Sequence, residues 1–380
     1  MPFFKDSLKS VQSGFGLRGE MASLMSIVRG GPFLGVDIGT TSIKLVEVHE
    51  TKEGGLALGN YGVLETFGYL ERANSALQTS SLKLMEEETT KYLSLAVRQL
   101  GAKTNLAVAS LPAFSAFTTL IELPTLSDKE VERVIALQGK QYIPLPIETV
   151  RVDWLKVGER TTEQGVKMYQ ILLIAVVSEQ VKRYENIFKA AGLHLRALEI
   201  EGISMARILA AGAKEPVLIV DIGSRSTGFV VAADGMFRFG GQTDFSGGSL
   251  TQAIANGLNI TTHRAETLKR LKGLGAAPSE QELSTLMEPI LDVIINEAIR
   301  VKENYEASYK AKVVRVILTG GGANLNGLEQ YFGKQSGMQT TVANPFEKIQ
   351  YPSTLAPAVR ELGPLLSVAL GLGVKGMTLP

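Results

Sequence analysis

Cysteine is missing from all 380 residues. That excludes disulfides, thiol catalysis and thiolate metal sites. Histidine is nearly missing too. His49, His194 and His263 are scattered and no His-Glu-x-x-His element occurs, so the sequence offers no protein-built metal site. No Gly-x-x-x-x-Gly-Lys-Ser/Thr element is present, so this is not a P-loop protein. Charge of one sign is lacking as well: the net charge is +1, which gives no general field to attract nucleic acid, and no nucleic-acid partner is expected. No apolar run reaches transmembrane length; the longest, 171–177, is strand-sized. Residues 1–30 lack the compact apolar core and small-residue cleavage site of a secretory signal. Together these absences predict a soluble cytoplasmic chain. What remains is globular in composition, 45% hydrophobic and 20% charged, and long enough for two domains or one bilobed fold.

One short stretch organises the rest. In Val36-Asp37-Ile38-Gly39-Thr40-Thr41-Ser42-Ile43-Lys44 an apolar run enters an acid, a glycine and three hydroxyls, and a second apolar run leaves. That content suits a tight strand-turn-strand whose N–H groups and hydroxyls wrap a phosphate. Asp-Ile-Gly also occurs in ordinary hairpins. The same order recurs, however, in 217–231, where Asp221-Ile222-Gly223-Ser224-Arg225-Ser226-Thr227 lies between apolar runs. Two distant copies predict two related half-molecules, with two phosphate loops closing on one nucleotide from opposite sides.

Between the copies, 33–70 reads as a strand meander, 79–100 as a helix and 105–111 as a strand. Residues 118–192 read as a compact β-α-β-β-α unit. Its first helix is opened by the capping box Ser127-Asp128-Lys129-Glu130, with Leu126 and Val131 as hydrophobic staple, and Pro144 and Pro146 end it. Its second helix is capped by Ser178 and closed by Gly192. This unit holds no catalytic constellation, which points to binding. Residues 195–200 form a strand and 202–211 a helix. After the second turn, Ala233-Asp234-Gly235 reads as a hairpin, 248–272 and 279–310 as helices, 313–318 as a strand, and 361–374 as an apolar helix broken by Pro364. Residues 1–30 carry Phe4, Leu8, Val11 and Phe15 at helical spacing. They read either as a tail or as an interfacial helix or partner contact.

A third element follows the strand at 313–318: Thr319-Gly320-Gly321-Gly322-Ala323-Asn324-Leu325, running into a helix. Three glycines between a buried strand and a helix let a flat ligand approach the backbone near a helix dipole. Two letter-matches to the dinucleotide pattern, Gly14 to Gly19 and Gly371 to Gly376, are rejected because neither has strand before and helix after. Magnesium would arrive with the nucleotide, mostly water-ligated, near Asp37 and Asp221.

In this order the motifs resemble the actin-like ATPase superfamily and, within it, the PilM family of type IV pilus assembly proteins on the FtsA/PilM branch. Four features carry the likeness: Asp37-Ile-Gly-x-x-Ser-x-Lys44-Leu-Val-Glu47; Gln141-Tyr-Ile-Pro-Leu-Pro-Ile-Glu148; Thr319-Gly-Gly-Gly-Ala-Asn-Leu325; and Val342-Ala-Asn-Pro-Phe346. The resemblance covers roughly 33–375.

It implies an α/β fold of two RNase H-like lobes with an inserted β-α-β-β-α subdomain. The divisions would be an extension (1–32), a first lobe (33–116), the insertion (117–193) and a connecting segment (194–216). A second lobe (217–255 and 311–360) would be interrupted by a helical part (256–310), and a C-terminal helix (361–380) would pack back on the first lobe. It further implies ATP and Mg2+ as ligands. Asp37, Gly39, Thr40, Thr41 and Ser42 would hold phosphates from one side, and Gly223, Ser224 and Ser226 from the other, with Asp37 and Asp221 towards the metal. Gly320, Gly321, Gly322 and Ala323 would form the adenosine loop, and Glu266 and Lys269 would contact ribose and base. Glu201, with Asp221 the catalytic candidate, would orient a water; it reads equally as a surface acid near a helix start. Lys44 reads as reaching a phosphate or facing solvent, and Arg225 as clamping a phosphate or crowding the site.

The family reading is an adaptor with at most slow ATPase activity, peripheral at the inner face of the cytoplasmic membrane. It would capture the cytoplasmic N-terminal tail of a PilN-like bitopic membrane protein, with pilus motor ATPases and self-association as further contacts. An FtsA-like polymer-forming tether and a small-molecule kinase are the alternatives. The kinase lacks a convincing catalytic base.

Overall fold

The computed structural model describes residues 31–66, 79–162, 164–275 and 278–379. The reading of residues 1–30 lies outside them. The chain forms two compact units, one running to Glu201 and taking up the chain again from Leu372, the other Gly202–Gly371.

In the first unit, β1 (Phe33–Ile38), β2 (Ser42–Glu50) and β3 (Leu56–Glu65) form an antiparallel meander. Then β4 (Leu106–Leu111) and β8 (His194–Ile200) join in parallel, giving the order β3-β2-β1-β4-β8. Helix α1 (Thr79–Leu100) packs on β2 and β3. Leu93 and Ala96 are buried on it one turn apart, as a 3.6-residue period requires.

The predicted β-α-β-β-α stretch is present as β5 (Ala116–Pro124), α2 (Asp128–Tyr142), β6 (Val150–Thr161), β7 (Lys167–Val177) and α3 (Ser178–Ala190). Its sheet has the order β5-β7-β6 and is antiparallel throughout. The capping box at Ser127 and Glu130 forms, with the Ser127 N–H donating to Glu130 Oε2 at 2.8 Å, and Leu126 packs on the cluster that holds Val131. The stretch is less self-contained than expected. Helix α3 packs on α1 and β8 as well as on β7, so β7 has no exposed residue from Gln170 to Val176. Ser178 is the first helical residue rather than the cap.

The second unit opens with α4, whose range Glu201–Leu209 starts at the boundary residue. Its sheet is β11-β10-β9-β12-β13, from β9 (Val217–Ile222), β10 (Thr227–Ala233), β11 (Met236–Thr243), β12 (Val316–Thr319) and β13 (Thr340–Val342). Asp234 and Gly235 take positive φ (50° and 72°), the left-handed pair a tight hairpin needs. The stretch expected to be helical over 248–272 is two helices, α5 (Gly247–Leu258) and α6 (Thr262–Lys272). Asn259 stops the first in a left-handed conformation, and the Thr261 hydroxyl caps the second. Helices α7 (Pro278–Tyr309) and α8 (Leu328–Ser336) complete the cover. The core joins Leu218, Val220 and Phe229 of the sheet to Leu250, Met287, Ile294 and Phe332 of the helices.

The last helix, α9 (Val359–Met377), is not broken at Pro364 but runs through it. The Pro364 carbonyl accepts from the Gly320 N–H at 3.1 Å. With the turn before it, this stretch (Ser353–Met377) is long and apolar enough to cross a membrane, which corrects the expectation that none is. Of its most apolar window, 61% is buried in the protein, the pattern of a core helix. The glycines of the rejected dinucleotide match explain themselves here. A Cβ on Gly371 would lie 2.2 Å from the Ser204 carbonyl oxygen, and one on Gly373 would lie 2.6 Å from a Val48 methyl. They are glycines because the helix packs backbone-close.

Candidate functional site

The two Asp-x-Gly turns are the same structure. In the first unit β1 and β2 are joined so that Asp37 pairs with Lys44, and the Gly39 N–H donates to the Ser42 carbonyl at 2.9 Å. In the second, Asp221 pairs with Gly228 and the Gly223 N–H donates to the Ser226 carbonyl at 3.0 Å. A Cβ would lie 3.1 Å from the Ser42 oxygen at Gly39 and 2.9 Å from the Ser226 oxygen at Gly223, so both positions favour glycine. The strand bearing the acid lies antiparallel to the next strand and parallel to β4 or β12. The repeat read from the letters is therefore a repeat of sheet order, register and turn.

The electrostatics differ. Asp37 is buried, and its two oxygens are taken: Lys44 Nζ lies 2.8 Å from Oδ2, and the Ser110 hydroxyl donates to Oδ1 at 2.8 Å. Lys44 thus pairs with its own motif's acid. Ser110, in β4, was not read from the sequence; its signal is a lone hydroxyl in an otherwise apolar strand. Ser110 in turn pairs in register with the fully buried Glu199 of β8, so Lys44, Asp37, Ser110 and Glu199 occupy one row across four strands. Tyr184 of α3 is buried. Burial and the charges of Glu201 and Asp37 push its phenol well above the usual range, so both acids act on the same neighbourhood. Thr41 accepts at its carbonyl from the Thr66 N–H at 2.9 Å, tying β3 to the turn.

Around Asp221 two of the neighbours are glycines. Gly228 stands across from it where the first copy has Lys44. A Cβ on Gly320 would lie 2.2 Å from Asp221 Oδ1, and one on Gly322 would lie 2.3 Å from the Ile222 side chain. Gly320 also has φ +80°. Two of the three glycines are therefore required by the close approach of this segment to the second turn, while Gly321 meets only Leu365, at 3.5 Å. Ala323 is buried in the 3-10 turn Gly321–Asn324 that leads to α8.

The second turn has a further support that the sequence did not reveal. At the start of α5, the Gly247 N–H donates to the Gly223 carbonyl (2.9 Å), and the Gly248 N–H and Ser246 hydroxyl donate to the Ser224 carbonyl (3.0 and 2.9 Å). The readable signal was Ser246-Gly-Gly-Ser249, a capping box with two glycines. Glu266 and Lys269 join the same network. Lys269 Nζ lies 2.7 Å from each of Glu266 Oε2, the Gly247 carbonyl and Thr251 Oγ1, and Arg270 Nε lies 2.8 Å from Glu266 Oε1. Burial raises the Glu266 carboxyl, but the charges and hydrogen bonds of Lys269, Thr251 and Arg270 outweigh it and hold it down at about 2. Burial lowers the Lys269 ammonium, and Glu266 opposes that shift.

Both turns carry half-buried hydroxyl residues beside a glycine whose Cβ would crowd the turn's own carbonyl. Among the described residues no three His, Asp or Glu side chains gather as a metal set. Asp37 belongs to the first unit and Asp221 to the second. A cavity of about 400 Å3 in the second unit is lined by Asn344, Tyr351, Val359 and Arg360 among others, and none of its lining belongs to the turns or the triglycine segment.

Two sheets of one strand order, each with the same acid-glycine turn, are an actin-like ATPase fold. MreB 5 of Spiroplasma citri, in a structure bound to AMPPNP, superposes with a TM-score of 0.52 at 14% identity, over 90% of this chain and 95% of that one. The chain belongs to the family of type IV pilus assembly protein PilM, whose model matches residues 35–377. A structure of the PilM-PilN type IV pilus biogenesis complex superposes with a TM-score of 0.75 at 23% identity, over 91% of this chain and 98% of that one. Cell division protein FtsA of Pseudomonas aeruginosa is 22% identical, over 93% of this chain and 91% of the relative.

Proposed function

We propose that the protein is an ATP-binding adaptor of type IV pilus assembly, or of a related secretion platform. It docks the cytoplasmic N-terminal tail of a PilN-like inner-membrane protein, and nucleotide sets how far its two lobes close. The observation that carries the nucleotide part is the duplicated turn, with the same N–H to carbonyl bond at Gly39 and Gly223. Thr40, Thr41 and Ser42 would hold phosphate oxygens from one turn and Ser224 and Ser226 from the other, with Asp37 and Asp221 orienting the waters of a magnesium ion. The triglycine segment would pass under the adenine. The ion and its phosphates supply the charge for any hydrolysis. Glu201 would orient the attacking water, and with no further acid or base nominated, turnover would be slow or absent. Family membership supports the pilus part and the PilN-like partner, and with them a place at the inner face of the cytoplasmic membrane. Pilus motor ATPases and a second copy of the chain are further contacts under this reading.

Titration with labelled ATP and Mg2+ tests the first part: saturable binding is expected, and none would sink it. Co-purification with the N-terminal tail of a bitopic membrane protein, with and without ATP, tests the second. The FtsA match favours one other reading, a polymer-forming membrane tether. Liposome pelleting with and without residues 1–30 separates the two: the adaptor stays in the supernatant either way.

A further inference from the structure

We infer that Lys269 is a positioning residue for the second phosphate turn rather than a contact to ribose or base. This rests on the nucleotide reading and sharpens it. An ammonium has three hydrogens. Lys269 Nζ has three acceptors at 2.7 Å, the Gly247 carbonyl, Thr251 Oγ1 and Glu266 Oε2, which leaves none for a ligand. The side chain is buried, so it was desolvated to make these bonds and not to wait for others.

What Lys269 holds is the first turn of α5, the turn that bonds the phosphate loop. Gly247 is bound at both its polar groups, its carbonyl by Lys269 and its N–H to Gly223. The Gly248 N–H donates to the Ser224 carbonyl, and a Cβ at Gly248 would lie 2.4 Å from that oxygen, so α5 approaches as closely as backbone can. The consequence follows from peptide planarity. The described residues have no cis bonds, so in each of these peptides the N–H points opposite to the C=O. With the Gly223 and Ser224 carbonyls turned onto α5, the N–H groups of Ser224 and Arg225 are turned the other way as a consecutive pair, the arrangement that receives an anion. Lys269 thus fixes, two bonds removed, the direction of the donors a phosphate would meet.

The test compares ligands that differ only in phosphate. Affinities of adenosine, ADP and ATP with Mg2+ are measured by displacement of a fluorescent nucleotide from wild type and from Lys269→Met. The expected result is a loss of roughly tenfold for ADP and ATP, the worth of one charge-assisted hydrogen bond, with adenosine within about twofold. Equal loss for all three ligands would make Lys269 a direct ribose contact and overturn the inference, as would no loss at all. Should Lys269→Met fail to fold, Thr251→Val keeps both charges, removes one of the three acceptors and predicts the same phosphate-selective pattern at smaller size. Amide hydrogen exchange without nucleotide supplies the independent readout. Gly247 and Gly248 should exchange faster in the variant, and unchanged rates would overturn the tie. If wild type binds no nucleotide while those amides still respond, the nucleotide reading fails and the tie stands.

Discussion

The two acid-glycine turns share backbone and register but solve opposite problems. In the first, Asp37 is neutralised inside the protein by Lys44 and Ser110. In the second, Gly228 replaces the lysine, and the turn is instead held from outside by the start of α5 and crowded by the triglycine segment. A duplicated fold can therefore keep one geometry and divide the labour. One copy carries its own cation against the acid, and the other has glycine in the lysine's place and spends hydrogen bonds on fixing the loop. The first is stabilised by charge pairing, the second by backbone packing, and substitutions should separate the two.

The largest effect is expected where packing decides. Gly320→Ala sets a methyl 2.2 Å from Asp221 Oδ1 at φ +80°, and a loss of about 3 kcal/mol or more is expected in thermal or denaturant unfolding. Gly321→Ala, with its nearest neighbour at 3.5 Å, should stay within about 1 kcal/mol. Equal costs at the two sites would mean the triglycine segment does not owe its glycines to the second turn.

Next comes the charge pair. Lys44→Met strands the Asp37 carboxylate, whose side chain is only 4% exposed, and should cost about 3 kcal/mol, with Ser110 preventing a larger loss. Restoring stability by adding Asp37→Asn, read in a double-mutant cycle, would confirm that the cost is the unpaired charge. No recovery would assign it to lost packing of the lysine stem.

A pH profile examines the support of the second turn. Glu266 titrates at about 2 in the folded protein, below the ordinary carboxylate range near 4.5. A depressed acid stabilises fully above its unfolded value, and its contribution is lost as pH falls through the folded one. The difference in stability between wild type and Glu266→Gln should therefore be largest above about pH 4.5 and shrink towards pH 2. A difference independent of pH would mean the carboxylate charge is not what anchors Lys269 and Arg270.

How much of this was legible follows the range of the interactions. The turns, the capping box at Ser127 and Glu130, and the hairpin at Asp234 and Gly235 were readable because each is decided within a few residues. The break between α5 and α6 is likewise local, set by the left-handed Asn259 and the Thr261 cap. Pro364 inside α9 was misread because a lone proline argues for a helix end, and only the packing of α9 shows the helix carrying on. Ser110, 73 positions from Asp37, and Lys269, committed to Gly247, could not be read at all, since both depend on strands or helices distant in sequence coming together. The resemblance to a family supplied roles for single residues; geometry supplied which donors were already spent.

The smallest change is the most direct probe of the comparison: giving the second turn the lysine of the first. At Gly228 a Cβ meets nothing nearer than the Asp221 Cβ at 4.0 Å, so Gly228→Lys is sterically open. The strand gains a side chain where glycine weakened it, and the new ammonium stands across from Asp221 as Lys44 stands across from Asp37. Stability should therefore change by no more than about 1 kcal/mol in either direction. The functional change should be larger. If Asp221 is kept without a lysine so that a hydrated magnesium ion can approach, the added cation should weaken binding of ATP with Mg2+ while leaving adenosine unaffected, and raising Mg2+ should recover part of the loss. Unchanged ATP binding in a folded Gly228→Lys protein would show that the missing lysine is an accident of the duplication and not the division of labour drawn from it.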